Sequence, residues 1–334
     1  MTLSNRNSVD VIIPARGSTP WLELSLTSIA LQSFQASDII LIDDGLAHVN
    51  STKELGQKLF GHRFRLLKNE GQGISAALNT GIQQSGAHWI ARMDADDIAH
   101  PNRSQDATGF LCRINLPGLS VVGPRSGLST RKEWSWGILI YRPPGRKFAS
   151  ASPERTCFVH SSLLMKREDL LATPYRPSMD GAEDVDLILR LAERGKITNL
   201  DTRLLDYRLH PTQESFCARA RHTAVQELAF RLALTRRRTN SDPLERTPGL
   251  ARRFINWRLS DSEYIRSRTF LTALRYAKIY LGGLDLSGFG QTALVGLKSL
   301  PTSWSSLCLA WLIFRKAGAA LLQQSTPFTE LNIR

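Results

Sequence analysis

A chain of 334 residues and 37.3 kDa, 42% hydrophobic and 22% charged, can bury a sizeable core and has an ordinary globular composition, which excludes disordered, collagen-like and low-complexity classes. Four widely spaced cysteines (Cys112, Cys157, Cys217, Cys308) form no CxxC pair, so neither a zinc ribbon nor a disulfide framework is indicated and a reducing, cytoplasmic compartment fits. The net charge of +13 invites a nucleic-acid partner, but it is concentrated: residues 1–216 hold 25 Lys/Arg against 23 Asp/Glu, and residues 217–334 hold 18 against 7.

Strand and helix signals alternate through the front part. Val9–Ile13 is a short run rich in β-branched residues that ends at Pro14 and Gly17. Thr19 and Pro20 read as the N-cap and first position of a helix. Ile39–Ile42 is a second strand, ended by Asp43-Asp44-Gly45. A helix over 50–60, a strand over Phe64–Leu67 and a helix over Ile74–Gln84, opened by Gly71 and Gly73, come next. His88–Met93 is a further strand, ended by Asp94-Ala95-Asp96-Asp97.

After Pro101 the pattern loosens: a helix over 102–114, a strand over Leu119–Gly123, then loops over 124–155 around a strand at Trp136–Tyr141. Ala182–Arg194 is an amphipathic helix stopped by Gly195, and Leu204–Leu209 is a strand. From 217 onward the chain is helical, interrupted at Pro243, Pro248 and Pro301. Repeated strand–helix units predict an α/β, doubly wound, mostly parallel sheet with helices on both faces. Such sheets bind ligands beyond the carboxyl ends of their strands. The Asp43-Asp44 and Asp94–Asp97 clusters are therefore expected over one sheet edge. Carboxylates two and three residues apart suit a hard divalent cation, although a solvated turn explains them too. Glu183-Asp184 at a helix start reads either as dipole stabilisation or as a general base.

These segments, in this order, resemble the family 2 glycosyltransferases. Val9–Pro14 is similar to the opening strand, Ile40–Gly45 to the base-binding strand end, and Asn69–Gly81 (NEGQGISAALNTG) to the phosphate-side loop and helix. Ile90–Asp97 (IARMDADD), with Pro101, Arg103 and Gln105, resembles the metal-binding segment. His160 in FVHSSLLMKRE, Ala182-Glu183-Asp184 and Tyr207-Arg208-Leu209-His210 complete the resemblance, which covers residues 9–216.

The resemblance implies a GT-A fold, with a catalytic domain over 1–216 and a basic helical region over 217–334 for membrane-surface, acceptor or oligomer contact. It implies Asp184 as the base, supported by Glu183. It implies nucleotide-sugar binding by Pro14, Arg16, Asp43, Asp44, Asn79, Arg92 and Asp94. A Mg or Mn ion would be held by Asp94, Asp96, Asp97 and His210. Arg16-Gly17 stands where the family often carries an aromatic residue and an Asn, and Leu46-Ala47-His48 replaces small hydroxyl residues.

The implied activity is inverting transfer from a nucleoside-diphosphate sugar, expected to be a UDP-sugar, to a hydroxyl of a glycan or lipid-linked acceptor in bacterial cell-surface polysaccharide synthesis. A sugar nucleotidyltransferase would share the sheet and metal but leave Glu183-Asp184 unexplained. A non-catalytic nucleic-acid-binding protein is opposed by the near-neutral front part. The first 16 residues lack an apolar core of signal-peptide length, and the longest late apolar run, Leu307–Phe314, falls short of the ~20 residues of a membrane span. Arg236–Arg238, Arg252-Arg253, Trp257, Trp304 and Trp311, with the segment Trp304–Leu322, are expected to hold the protein peripherally at the inner face of an anionic membrane, or else to pack as a helical bundle.

Overall fold

The computed structural model describes residues 8–17, 20–106, 109, 119–129, 133–135, 159–210, 213–282 and 286–300. The chain forms two compact units: one holds the described residues of 8–129, 133–209 and 222–255, the other those of 210–221 and 256–300. This differs from a single division at 216, because residues 222–255 group with the first unit.

The first unit is built on one sheet. Its strands are β1 (Val9–Gly17), β2 (Ile39–Leu46), β3 (Phe64–Lys68), β4 (Trp89–Arg92), β5 (Ile98–Ala99), β6 (Leu119–Ser129), β7 (Glu133–Ser135), β8 (Leu164–Lys166) and β9 (Lys196–Arg208), in the spatial order β3-β2-β1-β4-β8-β6-β9-β5 with β7 on β6. The β3-β2-β1-β4 half is wholly parallel. In the other half β8 runs antiparallel to both β4 and β6, while β6 and β9 are parallel.

The period of two in the apolar strands sorts side chains onto the two faces. Val9, Val11, Ile13, Ile39 and Leu41 pack with Leu22, Leu26 and Ile29 of α1 (Leu22–Ala30) and Phe60 of α2 (Val49–Phe60). Ile12, Ile40 and Ile42 face the other way, against Ala77, Leu78 and Ile82 of α3 (Gly73–Gln84) and Leu187, Ile188 and Leu191 of a helix over Glu183–Arg194. Gly81 lets α3 approach this face, since a Cβ there would meet Ile12 Cγ2 at 2.7 Å. Buried Asp10 ties the opposite end of β1 to the chain, accepting from Ser85 Oγ at 2.6 Å and from the backbone N–H groups of Asp38, Gly86 and Ala87.

Several boundaries depart from the sequence reading, among them β1, which runs past Ile13 to Gly17, and β2, which runs past Ile42 to Leu46. Helix α1 starts at Leu22 with Trp21 as N-cap, so Pro20 lies in the preceding turn; Thr19 is outside the described residues. β6 runs on past Gly123 to Ser129, and β9 begins at Lys196 rather than Leu204. The cause is their mutual pairing, which overrides the Gly, Pro and Ser composition, with a register shift between Gly123 and Arg125 that accommodates Pro124. Of the expected 102–114 helix, residues 103–106 and 109 are helical and the rest lie outside the described residues, as do Trp136–Tyr141 and Trp304–Leu322.

After β8 come α4 (Arg167–Ala172) and α5 (Glu183–Arg194); after β9 the chain is helical, with α6 (Glu214–Cys217), α7 (Arg219–Thr239), α8 (Pro243–Arg246), α9 (Leu250–Ser260), α10 (Ser262–Gly282) and α11 (Leu286–Lys298). Residues 222–255 join the first unit through charge. Arg176 Nη2 donates to Asp242 at 2.5 Å, and Arg236 donates to Glu193 of α5 at 2.8 and 3.0 Å. Buried Asp186 of α5 accepts from Arg190 at 2.9 Å inside the same network. No helix among the described residues is long and apolar enough to cross a membrane.

Candidate active site

The carboxyl ends of β1, β2 and β4 share one sheet edge, and the acidic residues gather there. Asp43 Oδ1 accepts the Gly45 and Leu46 N–H groups at 2.8 and 2.6 Å, bending the last residues of β2. Asp44 Oδ1 accepts from Asn69 Nδ2 at 2.5 Å and from the Gly73 N–H at 3.2 Å. The β2 end is thereby fastened to the start of α3. Gly73 has φ +83°, and a methyl group there would run into the Asp180 carboxylate, whose Oδ1 accepts the Ser75 N–H at 3.2 Å. Gly73→Ala is expected to cost about 2 kcal/mol or more, from left-handed backbone strain and displacement of Asp180. Urea denaturation checks this; a change below about 0.5 kcal/mol would contradict it.

Asp94, Asp96 and Asp97 each place a carboxylate oxygen within 4.8 Å of the others. Asp94 pairs with the buried guanidinium of Arg92. Asp97 is 1% exposed, with one oxygen accepting the Ser161 hydroxyl and the other the Arg208 N–H at 2.8 Å. Arg208 Nε also donates to the Asp96 carbonyl at 2.7 Å, and its guanidinium lies 5.5 Å over the Trp21 ring. Arg103, buried beneath, donates to the Arg92 carbonyl at 2.5 Å. Burial pushes the Asp94 carboxyl up, opposed by Arg92, and burial with the charges of Asp94 and Asp96 pushes Asp97 well up. Three repelling carboxylates on a braced loop form an oxygen-only donor set that fits a hard cation such as Mg or Mn. Asp97 is buried, whereas Asp94 and Asp96 are half-buried. His210 falls in the second unit and is not among these carboxylates.

Helix α5 brings the second acidic pair. Its N-cap, Ala182, has no side-chain acceptor, so Glu183, Asp184 and Asp186 occupy a first turn whose leading N–H groups lack helical carbonyl partners. Glu183 is buried, and its Oε2 accepts the Gly181 N–H at 3.0 Å. Asp184 is half-buried and accepts from the Val185 N–H at 2.8 Å. Burial first and the Asp184 charge second push the Glu183 carboxyl up to about 8. Burial also raises Asp184, with Arg92 lowering and Asp94 raising it further. The Arg92 guanidinium is thus the counter-charge common to the metal loop and the α5 pair.

The Glu183 shift has a testable sign. The folded protein binds a proton at Glu183 that the unfolded chain releases above about pH 4.5, so this group makes stability fall as pH rises from there towards 8. The thermal midpoint of Glu183→Gln minus that of wild type is therefore expected to grow across this window. A constant difference would contradict the assignment.

The remaining expected residues divide. Pro14 is half-buried within β1, and Arg16 is exposed at its carboxyl end. Asn79 holds the Tyr175 backbone at both ends of its amide, at 2.9 and 3.0 Å, and so acts as a clamp between α3 and the 175 turn rather than as a group turned toward a ligand. Tyr175 and Asp180 were not singled out from sequence. Asp180 stands three residues before Glu183, outside any periodic element, and Tyr175 follows a proline in an irregular stretch; neither carries a pattern.

The family pattern described as glycosyl transferase family 2 matches residues 10–171. The chain is 27% identical over 224 residues to the O-antigen biosynthesis glycosyltransferase WbnJ of Escherichia coli, spanning 65% of this chain and 87% of that one. It is 27% identical over 209 residues to the putative glycosyltransferase EpsE of Bacillus subtilis, spanning 56% and 67%. The mannosyltransferase PcManGT from Pyrobaculum calidifontis, solved with GDP-Man and Mn2+, superposes with a TM-score of 0.53 at 17% identity over 95% of this chain and 88% of that one. The fold is GT-A, and the protein is a glycosyltransferase.

Proposed function

We propose that this enzyme transfers a sugar, with inversion, from a nucleoside-diphosphate sugar to a hydroxyl of a glycan or lipid-linked acceptor in cell-surface polysaccharide synthesis. The observation that carries the reading is that buried Arg92, paired with Asp94 of the three-carboxylate loop, is also the counter-charge of Glu183 and Asp184 on a distant element. Asp184, its carboxylate made more basic by burial, takes the proton of the acceptor hydroxyl. The acceptor oxygen forms its bond to the anomeric carbon as the bond to the diphosphate breaks on the opposite side, through an oxocarbenium-like transition state. A Mg or Mn ion held by Asp94 and Asp96, with Asp97 behind them, would neutralise charge on the departing diphosphate. Asp43 and Asp44 shape the turn that receives the nucleoside, with a UDP-sugar the first donor to test. The place in polysaccharide synthesis is supported by the likeness to WbnJ, an O-antigen biosynthesis glycosyltransferase, and the metal and donor class by the GDP-Man and Mn2+ of PcManGT. Saturation-transfer NMR with a panel of UDP- and GDP-sugars and Mn2+ tests donor binding. Contacts to one donor that vanish on chelation are expected; no contact with any would contradict it.

The same enzyme is proposed to work as a peripheral protein at the inner face of an anionic membrane. Arg237, Arg238, Arg246, Arg252 and Arg253 are exposed, and Trp257 of α9 is 59% exposed. Each basic residue near such a surface contributes about 1 kcal/mol. Co-flotation with anionic vesicles that weakens as salt rises is expected; no flotation with the full chain would contradict it.

A further inference from the structure

We infer that Tyr175 and His160 are positioning residues for the carboxylate pair of α5: the Tyr175 hydroxyl donates to His160 Nε2, which leaves the imidazole proton on Nδ1, facing Glu183. This rests on the reading of Glu183-Asp184 as the acceptor-activating pair.

Every member is buried. Tyr175 is 2% exposed, Glu183 7% and His160 8%. The Tyr175 oxygen lies 2.7 Å from His160 Nε2, and His160 Nδ1 stands 3.7 Å from Glu183 Oε1. Tyr175 cannot drift, because Asn79 grips its backbone on both sides and its ring packs in the cluster under α3 and α5. Glu183 Oε2 is already held by the Gly181 N–H, so His160 addresses the oxygen that Gly181 leaves open.

Two shifts agree with this proton placement. Burial pushes the Tyr175 phenol up, so it keeps a proton to donate; its other acceptor, Met165 Sδ at 4.0 Å, is far weaker than an imidazole nitrogen at 2.7 Å. Burial and the Arg92 charge push His160 well below its ordinary value, so the ring is neutral with one N–H to place. In a neutral imidazole the partner of one nitrogen sets what the other presents. Once Glu183 is ionised, above about pH 8, an N–H at Nδ1 attracts its carboxylate, whereas a bare lone pair there would repel it. The consequence reaches Asp184 through the backbone. Ala182 gives α5 no capping side chain, so the first turn takes its orientation from Glu183.

Two readouts test the inference on the full chain. The ¹⁵N-histidine spectrum at about pH 9, where Glu183 is ionised, with His160 assigned from His160→Asn, needs no donor. A neutral ring protonated on Nδ1 is expected in the wild type, moving toward the Nε2–H form in Tyr175→Phe. An Nε2–H ring in the wild type would overturn the inference. In turnover with the donor found by screening, Tyr175→Phe is expected to lower kcat about tenfold, the effect of one hydrogen bond, with donor KM unchanged. His160→Asn, which keeps a donor nitrogen near the Nδ1 position, is expected to retain more kcat than His160→Gln. Equal kcat in Tyr175→Phe and wild type, or a loss carried wholly by KM, would overturn it. Full turnover in Asp184→Asn would instead remove the base assignment, a failure distinguishable because the tautomer is read without catalysis.

Discussion

Asp184→Asn is expected to lower turnover by about 10²–10⁴-fold, the range for removing a positioned general base, while binding of UDP with Mn2+ stays nearly unchanged. The asymmetry follows from place. Asp184 sits on the first turn of α5, half-buried, and its carboxylate accepts from the neighbouring Val185 N–H and from its own. Asparagine keeps that acceptor and the shape, so the helix start should survive, but the amide cannot take a proton. Titration calorimetry beside initial rates separates the outcomes. If nucleotide affinity falls as far as turnover, Asp184 belongs to the nucleotide site instead.

Asp96→Asn is expected to abolish measurable transfer and yet raise the stability of the metal-free protein. Arg208 Nε donates to its backbone carbonyl, so the loop keeps that tether when the side chain changes. The Asp96 charge lies close enough to push up both Asp94 and Asp97, so neutralising it relieves repulsion in the empty loop. What is lost is one of the anionic oxygens a hard cation requires. A thermal midpoint equal to or above that of wild type, with turnover gone at saturating Mn2+, is the expected pair of results. Full turnover at saturating Mn2+ would remove the metal assignment.

Sequence alone carried the parallel half of the sheet well. Val9–Ile13, Ile39–Ile42 and Phe64–Leu67 are short apolar runs between turn residues, and each is a strand. Their alternation also foretells the two helical faces. The acidic clusters could be placed at strand ends because a parallel sheet gathers its carboxyl ends along one edge. The antiparallel half was less legible. β6 crosses Gly123, Pro124 and Gly127 because β9 supplies hydrogen-bonding partners from more than 70 residues away, and no local pattern encodes that partner. For the same reason Arg176 and Asp242 read as isolated charges until the fold joins them. Asn79 shows the limit at the site itself: the motif around it is recognisable, but its amide is turned to Tyr175. That Arg92 is the charge common to both acidic sets is a property of burial, which residue type does not reveal.

The most direct measurement is a time-resolved ¹H and ³¹P NMR record of the reaction with the donor identified by screening, an acceptor and Mn2+. The account predicts that nucleoside diphosphate appears at the rate of a new glycosidic signal of opposite anomeric configuration to the donor, and that both are lost in Asp184→Asn. Retained configuration, or pyrophosphate in place of nucleoside diphosphate, would contradict it.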